Sequence, residues 1–383
     1  MDILFYGGHR WENGPWFRKQ QFASRLVKKG HRVFYIQNTK SIFRSKGANP
    51  LLFTRDVKKS DNLILIEPSC FFPYPGNKYS RKAYYLKLVF ELKRILKKYG
   101  VKEYLTWFNL VEFSSVVNKF EGKKIFDLAD DRPFYLKLSN DEKGYQLYME
   151  YMEMSYKYSD AHIVSAAKIK EKYQYMTDNN IIVIPNGHNF DGKFDKENTP
   201  KDLKRILDMK KPIVGFIGTL FHFLDHELME FIIKSRPEYN FVFVGPAQSN
   251  FPVETIDKYE NVYLLGKKHK DEIPNYLNYF DVCLNPFKKH EVNDSVSPVK
   301  VFEYLAQKKI VISTEMYSLM KEKISEHVIF AKDKETYLDK LDSVIKCGNY
   351  VNNITDDDLQ EYHWDSLFQK LLTELKKQKD LRL

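Results

Sequence analysis

The chain has 383 residues, 43% of them apolar and 29% charged, with 61 Lys and Arg against 51 Asp and Glu. That length exceeds one ordinary core and predicts two domains, and the balance of apolar and charged residues excludes intrinsic disorder. Three scattered cysteines, Cys70, Cys283 and Cys347, lack C-x-x-C spacing; this argues against a disulfide framework or a zinc site and for a reducing compartment.

In chain order, ILFY (3–6) opens a strand at once, with no basic-then-apolar signal segment before it. Gly7 and Gly8 follow, where missing side chains let backbone approach a ligand or simply turn. An amphipathic helix near 16–29 leads to the strand RVFYI (32–36), then LILI (63–66) and a loop rich in Pro and aromatics. The basic helix 77–100 sets Tyr84, Leu88, Phe90, Leu92 and Ile95 among Lys82, Lys87, Lys93, Lys97 and Lys98. It is expected to pack its apolar side inward and to turn lysines toward a membrane surface. EYLTW (103–107), KKIFDL (123–128), AHIVS (161–165) and IIVIP (181–185) continue the strands. A polar stretch at 186–202 ends this series, and the join is expected near 190–205.

A second series begins with KPIVGFIG (211–218), then a helix near 225–235, NFVFVG (240–245), NVYLLG (261–266), a helix near 271–279 and DVCLNPF (281–287). It continues through a helix opening at SPVKVFEYLA to IVIST (310–314) and ends in a charged helix over 357–380. Strands alternating with helices imply parallel, doubly wound sheets. Neither half carries G-x-G-x-x-G, which argues against a nicotinamide or flavin enzyme. No apolar run approaches the roughly 20 residues that span a bilayer. The expected location is cytoplasmic, peripheral on the inner face of a membrane.

Charge is lopsided. Residues 1–100 hold 21 Lys and Arg against 6 Asp and Glu, a net of +15; residues 1–195 hold 33 against 21, and the remainder 28 against 30. Such an excess points to a polyanion, meaning anionic lipid, pyrophosphate or nucleic acid; the plain alternative is a solvated surface. No recognition helix, RNP motif or zinc spacing supports nucleic acid.

The segment SVSPVKVFEYLAQKKIVIS (295–313) is the most informative. Ser297 suits a helix N-cap and Pro298 the first helical position. Lys300 and Glu303 lie three apart, on one helical face. A cation in the first turn opposes the helix dipole by about 0.3–1 kcal/mol, a penalty that a bound anion would reverse. The plain alternative is an exposed i,i+3 ion pair.

Taken in order, IPNG (184–187), KPIVGFIGTL (211–220), FVFVGP (241–246), NVYLLGKK (261–268), FDVCLNPF (280–287) and SPVKVFEYLAQKKIVIST (297–314) resemble the donor half of GT-B glycosyltransferases of the family 4-like group. The motifs are most similar to those of bacterial exopolysaccharide and teichuronic-acid type enzymes and of xanthan glucuronosyltransferase. The resemblance implies two Rossmann-like doubly wound domains facing across a cleft: 1–200 for the acceptor, 201–360 for the nucleotide sugar, and a helix at 361–383 returning to the first. It implies that Lys300 and the Ser297–Val299 backbone bind the diphosphate of a UDP- or GDP-linked sugar, with Glu303 gripping the ribose diol. Gly218, Thr219, His222, Gly245, Gly266 and Asn285 are the further implied donor-side residues. Gly7, Gly8 and Arg18 fall on the acceptor side, where Trp11 and Trp16 could also line the wall. The sequence departs from the family at Ser295, where a first glutamate is usual (Glu291 and Asp294 lie nearby). It departs again at 219–222, where an Arg-x-x-x-x-Lys pair is usual.

FDLADDR (126–132) invites a metal reading, but the lysine-bearing helix makes a metal unnecessary, so neither metal nor cofactor is expected. Asp130 and Asp131 follow a strand at its carboxyl end, and the resemblance makes one of them, Asp130 ahead of Asp131, the base for an acceptor hydroxyl. A turn or helix cap would account for the other. The function expected is metal-independent sugar transfer to a lipid-linked or growing surface polysaccharide on a membrane. The rivals are a non-catalytic nucleotide-sugar-binding paralogue and a GT-B epimerase or phosphorylase.

Overall fold

The computed structural model describes residues 1–12, 16–38, 40–41, 54–70, 78–189, 199–348, 352–379, 381 and 383. Most of the polar stretch read as a linker, the Pro and aromatic loop before the basic helix, and the side chains of Cys70 and Cys347 lie outside the described residues. The chain divides into two units, Met1–Ile184 with Phe368–Leu383, and Pro185–Leu367.

Unit 1 is built on an eight-stranded sheet. Its order is Ile182–Val183, Ala161–Val164, Lys124–Leu128, Tyr104–Phe108, Asp2–Tyr6, Arg32–Ile36, Leu63–Glu67, Arg55–Ser60. Ile3, Leu4 and Phe5, like Val33, Phe34 and Tyr35, are fully buried, as strands covered on both faces must be. All pairings are parallel but the last, where Arg55–Ser60 runs antiparallel to Leu63–Glu67 at the edge. That strand is mostly exposed and charged, so it carries no apolar run to betray it. Strand order reverses between Asp2–Tyr6 and Tyr104–Phe108, and their carboxyl ends bear Gly7–Gly8 and Asn109.

Helix Lys78–Lys98 packs Tyr85, Leu88, Val89, Leu92, Ile95 and Leu96 into the core. Phe90 does not join them as expected; it is 72% exposed.

Unit 2 is a six-stranded, fully parallel sheet in the order Val262–Gly266, Asn240–Val244, Ile213–Ile217, Val282–Asn285, Ile310–Thr314, Val328–Ala331. The last strand, and helix Lys334–Cys347 after it, extend beyond the elements expected from sequence. The reversal falls between Ile213–Ile217 and Val282–Asn285.

The two units divide at Pro185, upstream of the join expected near 190–205. The cause lies in the backbone. The His188 amide donates to the Tyr362 carbonyl at 3.1 Å and the Trp364 amide to the His188 carbonyl at 3.0 Å, so the IPNG segment is sewn into unit 2. The same stitch splits the expected 357–380 helix into Asp356–Glu361 and Trp364–Lys379. The latter buries Leu371 and Leu375 and sets Phe368 against Phe22 at 6.2 Å in unit 1. Among the described residues no helix is long and apolar enough to cross a membrane.

Candidate functional site

In unit 2 the helix Val299–Ala306 starts one residue later than the sequence suggests, with extended Pro298 at the cap and no side chain bonding the first turn. Ser297 is therefore not the N-cap. Its hydroxyl instead accepts from the Asn186 amide at 2.9 Å, while the Asn186 side chain donates to the Ser297 carbonyl at 2.8 Å. This pins the loop before the helix to the IPNG segment. One turn into the helix, the Tyr304 hydroxyl accepts from the Ile217 amide at 2.8 Å, which fixes the helix against the end of strand Ile213–Ile217. Lys300 precedes Tyr304 by four residues and so lies on the same face.

The Lys300 ammonium reaches the strand end and rests against Gly218, with Nζ 5.9 Å from the Phe216 ring centroid. A Cβ at Gly218 would collide with the lysine, and one at Gly245 would collide with the Gly218 carbonyl. Both glycines are left-handed and extended, with φ of +141° and +146°. The glycines thus clear a floor over which the lysine passes.

Lys300 is half-buried and Glu303 exposed, yet burial pushes the ammonium of one down and the carboxyl of the other up, each opposed by its partner's charge. Among the described residues neither side chain has a hydrogen-bond or ion-pair partner, so the i,i+3 bridge does not form. Val299 is 38% exposed beside them.

The other expected donor-side residues diverge. Gly266, with φ +67°, and half-buried Thr219 lie at the strand ends. His222 is exposed, bonded through Nδ1 to the Asn250 amide at 2.8 Å, with burial and Lys288 lowering its basicity. Asn285 is fully buried, donating to the Ser313 hydroxyl at 2.8 Å. It braces the strand end and cannot touch a ligand.

In unit 1 the two adjacent aspartates separate cleanly. Asp131 is buried and already engaged, accepting from the Tyr173 hydroxyl and the Lys172 ammonium, each at 2.6 Å. Asp130 is exposed and has no partner among the described residues, although enclosure by protein raises its carboxyl. Lys19, Arg18 and Arg132 oppose that rise and Asp127 adds to it. Lys19, which the sequence reading passed over, is half-buried and also unpaired; burial lowers it while Asp130 holds it up. Its only sequence signal is adjacency to Arg18 at a helix start. Nearby His9 is pushed down to about 4 by burial and by Lys19, so it is neutral at physiological pH.

Arg18 is a correction. Only 4% exposed, it bonds Asp127 at 3.1 Å and the Ile184 carbonyl at 2.5 Å, and Asn109 donates to the same Asp127 at 2.9 Å. It ties strand ends together beneath the surface, out of reach of an acceptor. Gly7 lies under the buried Tyr35 ring, which leaves no room for a side chain there, so its lack of a Cβ serves packing. Gly8 is left-handed at φ +72°. Trp11 packs edge-on against Tyr35 at 5.0 Å, and Trp16 is 38% exposed. Among the described residues no three His, Cys, Asp or Glu side chains are arranged to hold a metal.

Residues 211–346, which lie within unit 2, match the family model "Glycosyl transferases group 1". Over 121 residues the chain is 32% identical to TuaH of Bacillus subtilis (strain 168), which carries the provisional description teichuronic acid biosynthesis glycosyltransferase; the match takes in 31% of this chain and 30% of that protein. Sucrose-phosphate synthase from Thermosynechococcus elongatus superposes with a TM-score of 0.68 at 14% identity, covering 98% of both chains. A glycosyltransferase from Rickettsia africae gives 0.63 at 15% identity, again with 98% of both. A trehalose-6-phosphate structure from E. coli, bound with UDP-2-fluoro glucose, gives 0.63 at 12% identity, covering 97% of this chain and 96% of that one. The fold is GT-B.

Proposed function

We propose that the chain transfers a sugar from a nucleoside diphosphate sugar to a hydroxyl of a lipid-linked or growing polysaccharide at the inner face of a membrane. The observation that carries this reading is the unpaired Lys300 ammonium held over Gly218 in the first turn of an uncapped helix. Free helical N–H groups and a fixed cation suit a diphosphate, and the acceptor-only Glu303 carboxylate suits a ribose diol. A fold neighbour solved with a UDP sugar and a teichuronic-acid relative favour UDP and a cell-surface glycan.

In this reaction the Asp130 carboxylate takes the proton of the acceptor hydroxyl as its oxygen bonds to the anomeric carbon. The bond from that carbon to the phosphate oxygen breaks, and Lys300 with the helix N-terminus receives the charge growing on the leaving diphosphate. No metal is required in this scheme.

Thermal-shift titration with UDP, GDP, ADP and their sugars tests it. A nucleotide at a hundredfold its Kd raises stability by about 2.7 kcal/mol. UDP or GDP is expected to raise Tm in the native chain and much less in Lys300→Ala. If no nucleotide moves Tm, the donor site is lost. If nucleotides bind but Asp130→Asn transfers sugar at the native rate, the base is wrong. Binding with no transfer or hydrolysis by the native chain with any donor would favour a non-catalytic paralogue.

A further inference from the structure

Helix Lys78–Lys98 has two faces of different character. At about 100° per residue, Tyr85, Leu88, Val89, Leu92, Ile95 and Leu96 form the buried arc. The opposite arc is the unusual one. Tyr79, Leu86 and Phe90 follow one another along its midline, and they are 84%, 41% and 72% exposed. Lys82, Lys93, Arg94 and Lys97 stand on the same outer arc, all exposed. None of these four cations has an ion-pair or hydrogen-bond partner among the described residues, whereas Lys87 and Lys98, at the margins, are paired with Glu91 and Asp56.

An exposed phenylalanine alone would mean little. Three large apolar side chains in line, edged by four unpaired cations and with no acidic residue on that arc, make a surface with one kind of complement. A protein partner's apolar groove would cover the aromatics but would need its own carboxylates opposite each cation. An anionic bilayer offers both at once, headgroup phosphates at the rim and acyl chains beneath. Of the net +15 over residues 1–100, the helix supplies +7 and the remainder +8, which extends the same attraction beyond the helix.

We propose that unit 1 docks on anionic phospholipid through the outer face of helix Lys78–Lys98, which lies in the interface plane with Tyr79, Leu86 and Phe90 inserted and Lys82, Lys93, Arg94 and Lys97 at the phosphates. This deepens the lipid-linked acceptor reading and takes its purpose from it, while the docking itself stands on the helix face. Both charge and insertion contribute, so the two can be separated by substitution. Each cation removed is expected to weaken binding about fivefold at low salt. Removing the inserted side chains is expected to weaken it at every salt concentration.

The test is co-sedimentation of the full chain with vesicles of phosphatidylglycerol and phosphatidylethanolamine, against pure phosphatidylcholine. The native chain should pellet with the anionic vesicles and release as salt rises. Leu86→Ser with Phe90→Ser should lower binding at least tenfold, and Lys93→Glu with Lys97→Glu should do so at low salt. UDP- and GDP-dependent Tm shifts report whether each variant is folded and whether the donor site works. No vesicle binding by the native chain at low salt, or unchanged binding by the Leu86/Phe90 variant, overturns the docking surface. Nucleotide binding that survives such a result leaves the transferase reading intact; vesicle binding without any nucleotide response leaves the docking intact and removes the transferase. If sedimentation velocity instead shows a dimer that the Phe90→Ser change dissociates, the face belongs to a second copy and the lipid assignment falls.

Discussion

A half-buried ammonium with no hydrogen-bond or ion-pair partner is a cost to the fold, and among the described residues Lys300 is such a group. Its replacement by Ala should therefore leave the unliganded Tm unchanged or slightly higher, while weakening diphosphate binding. A hydrogen bond to a charged group contributes about 1.5–3 kcal/mol, so the loss in affinity should be on the order of 10- to 150-fold by calorimetric titration. Asp130 obeys the same logic with opposite charge. Its carboxyl is raised in the folded chain, so the fold binds that proton more tightly than the unfolded chain does, and stability falls as pH rises from the ordinary aspartate range through the raised value. Asp130→Asn should then raise Tm at neutral pH, and the gain should vanish below about pH 4, where both states are protonated. Activity of the native chain should fall as acidification protonates Asp130. Asp127 behaves differently because it is buried and bridged by Arg18 and Asn109. Asp127→Ala strands a buried guanidinium and should cost about 3–5 kcal/mol in denaturant titration, whereas Arg18→Met combined with Asp127→Leu should cost less.

At the scale of elements, the helix Val299–Ala306 and the strand end at Gly218 act as one device, joined by Tyr304 below and Lys300 above. Gly218→Ala places a methyl where the lysine lies and forces φ near +141° on an alanine. It should therefore weaken nucleotide binding at least as much as Lys300→Ala does while also lowering Tm, a pairing that loss of the lysine alone does not produce. Much of this was legible beforehand. Parallel buried strands announce themselves as apolar runs, and the spacing of Lys300 and Glu303 set them on one face. What escaped was whatever depends on a distant backbone. Ser297 reads as a cap locally, but Asn186, 111 residues away in sequence, claims its hydroxyl. Arg18 reads as a free cation until Asp127 is brought beneath it. The edge strand Arg55–Ser60 has no apolar alternation. No local pattern told Asp130 from Asp131; Tyr173 and Lys172, some forty residues on, make the distinction.

On the scale of the molecule, two separate cores coexist, one holding Leu4, Phe34 and Phe126, the other Val214, Phe216 and Leu305. If the donor site belongs wholly to unit 2, differential scanning calorimetry with UDP or GDP should shift the part of the endotherm belonging to that unit most. The protein should then depart from two-state behaviour. Gly187 offers a second handle on the stitch, because a Cβ there would collide with the Tyr362 carbonyl. Gly187→Ala should loosen the Pro185–Leu367 unit and lower its transition. One consequence of that threading concerns biosynthesis. Unit 2 is a continuous stretch, whereas the core of unit 1 includes Phe368, Leu371 and Leu375, made after every residue of unit 2. On the ribosome the later-coded half can thus finish folding first, while the amino-terminal half waits, incomplete, until the segment carrying Phe368, Leu371 and Leu375 has been made.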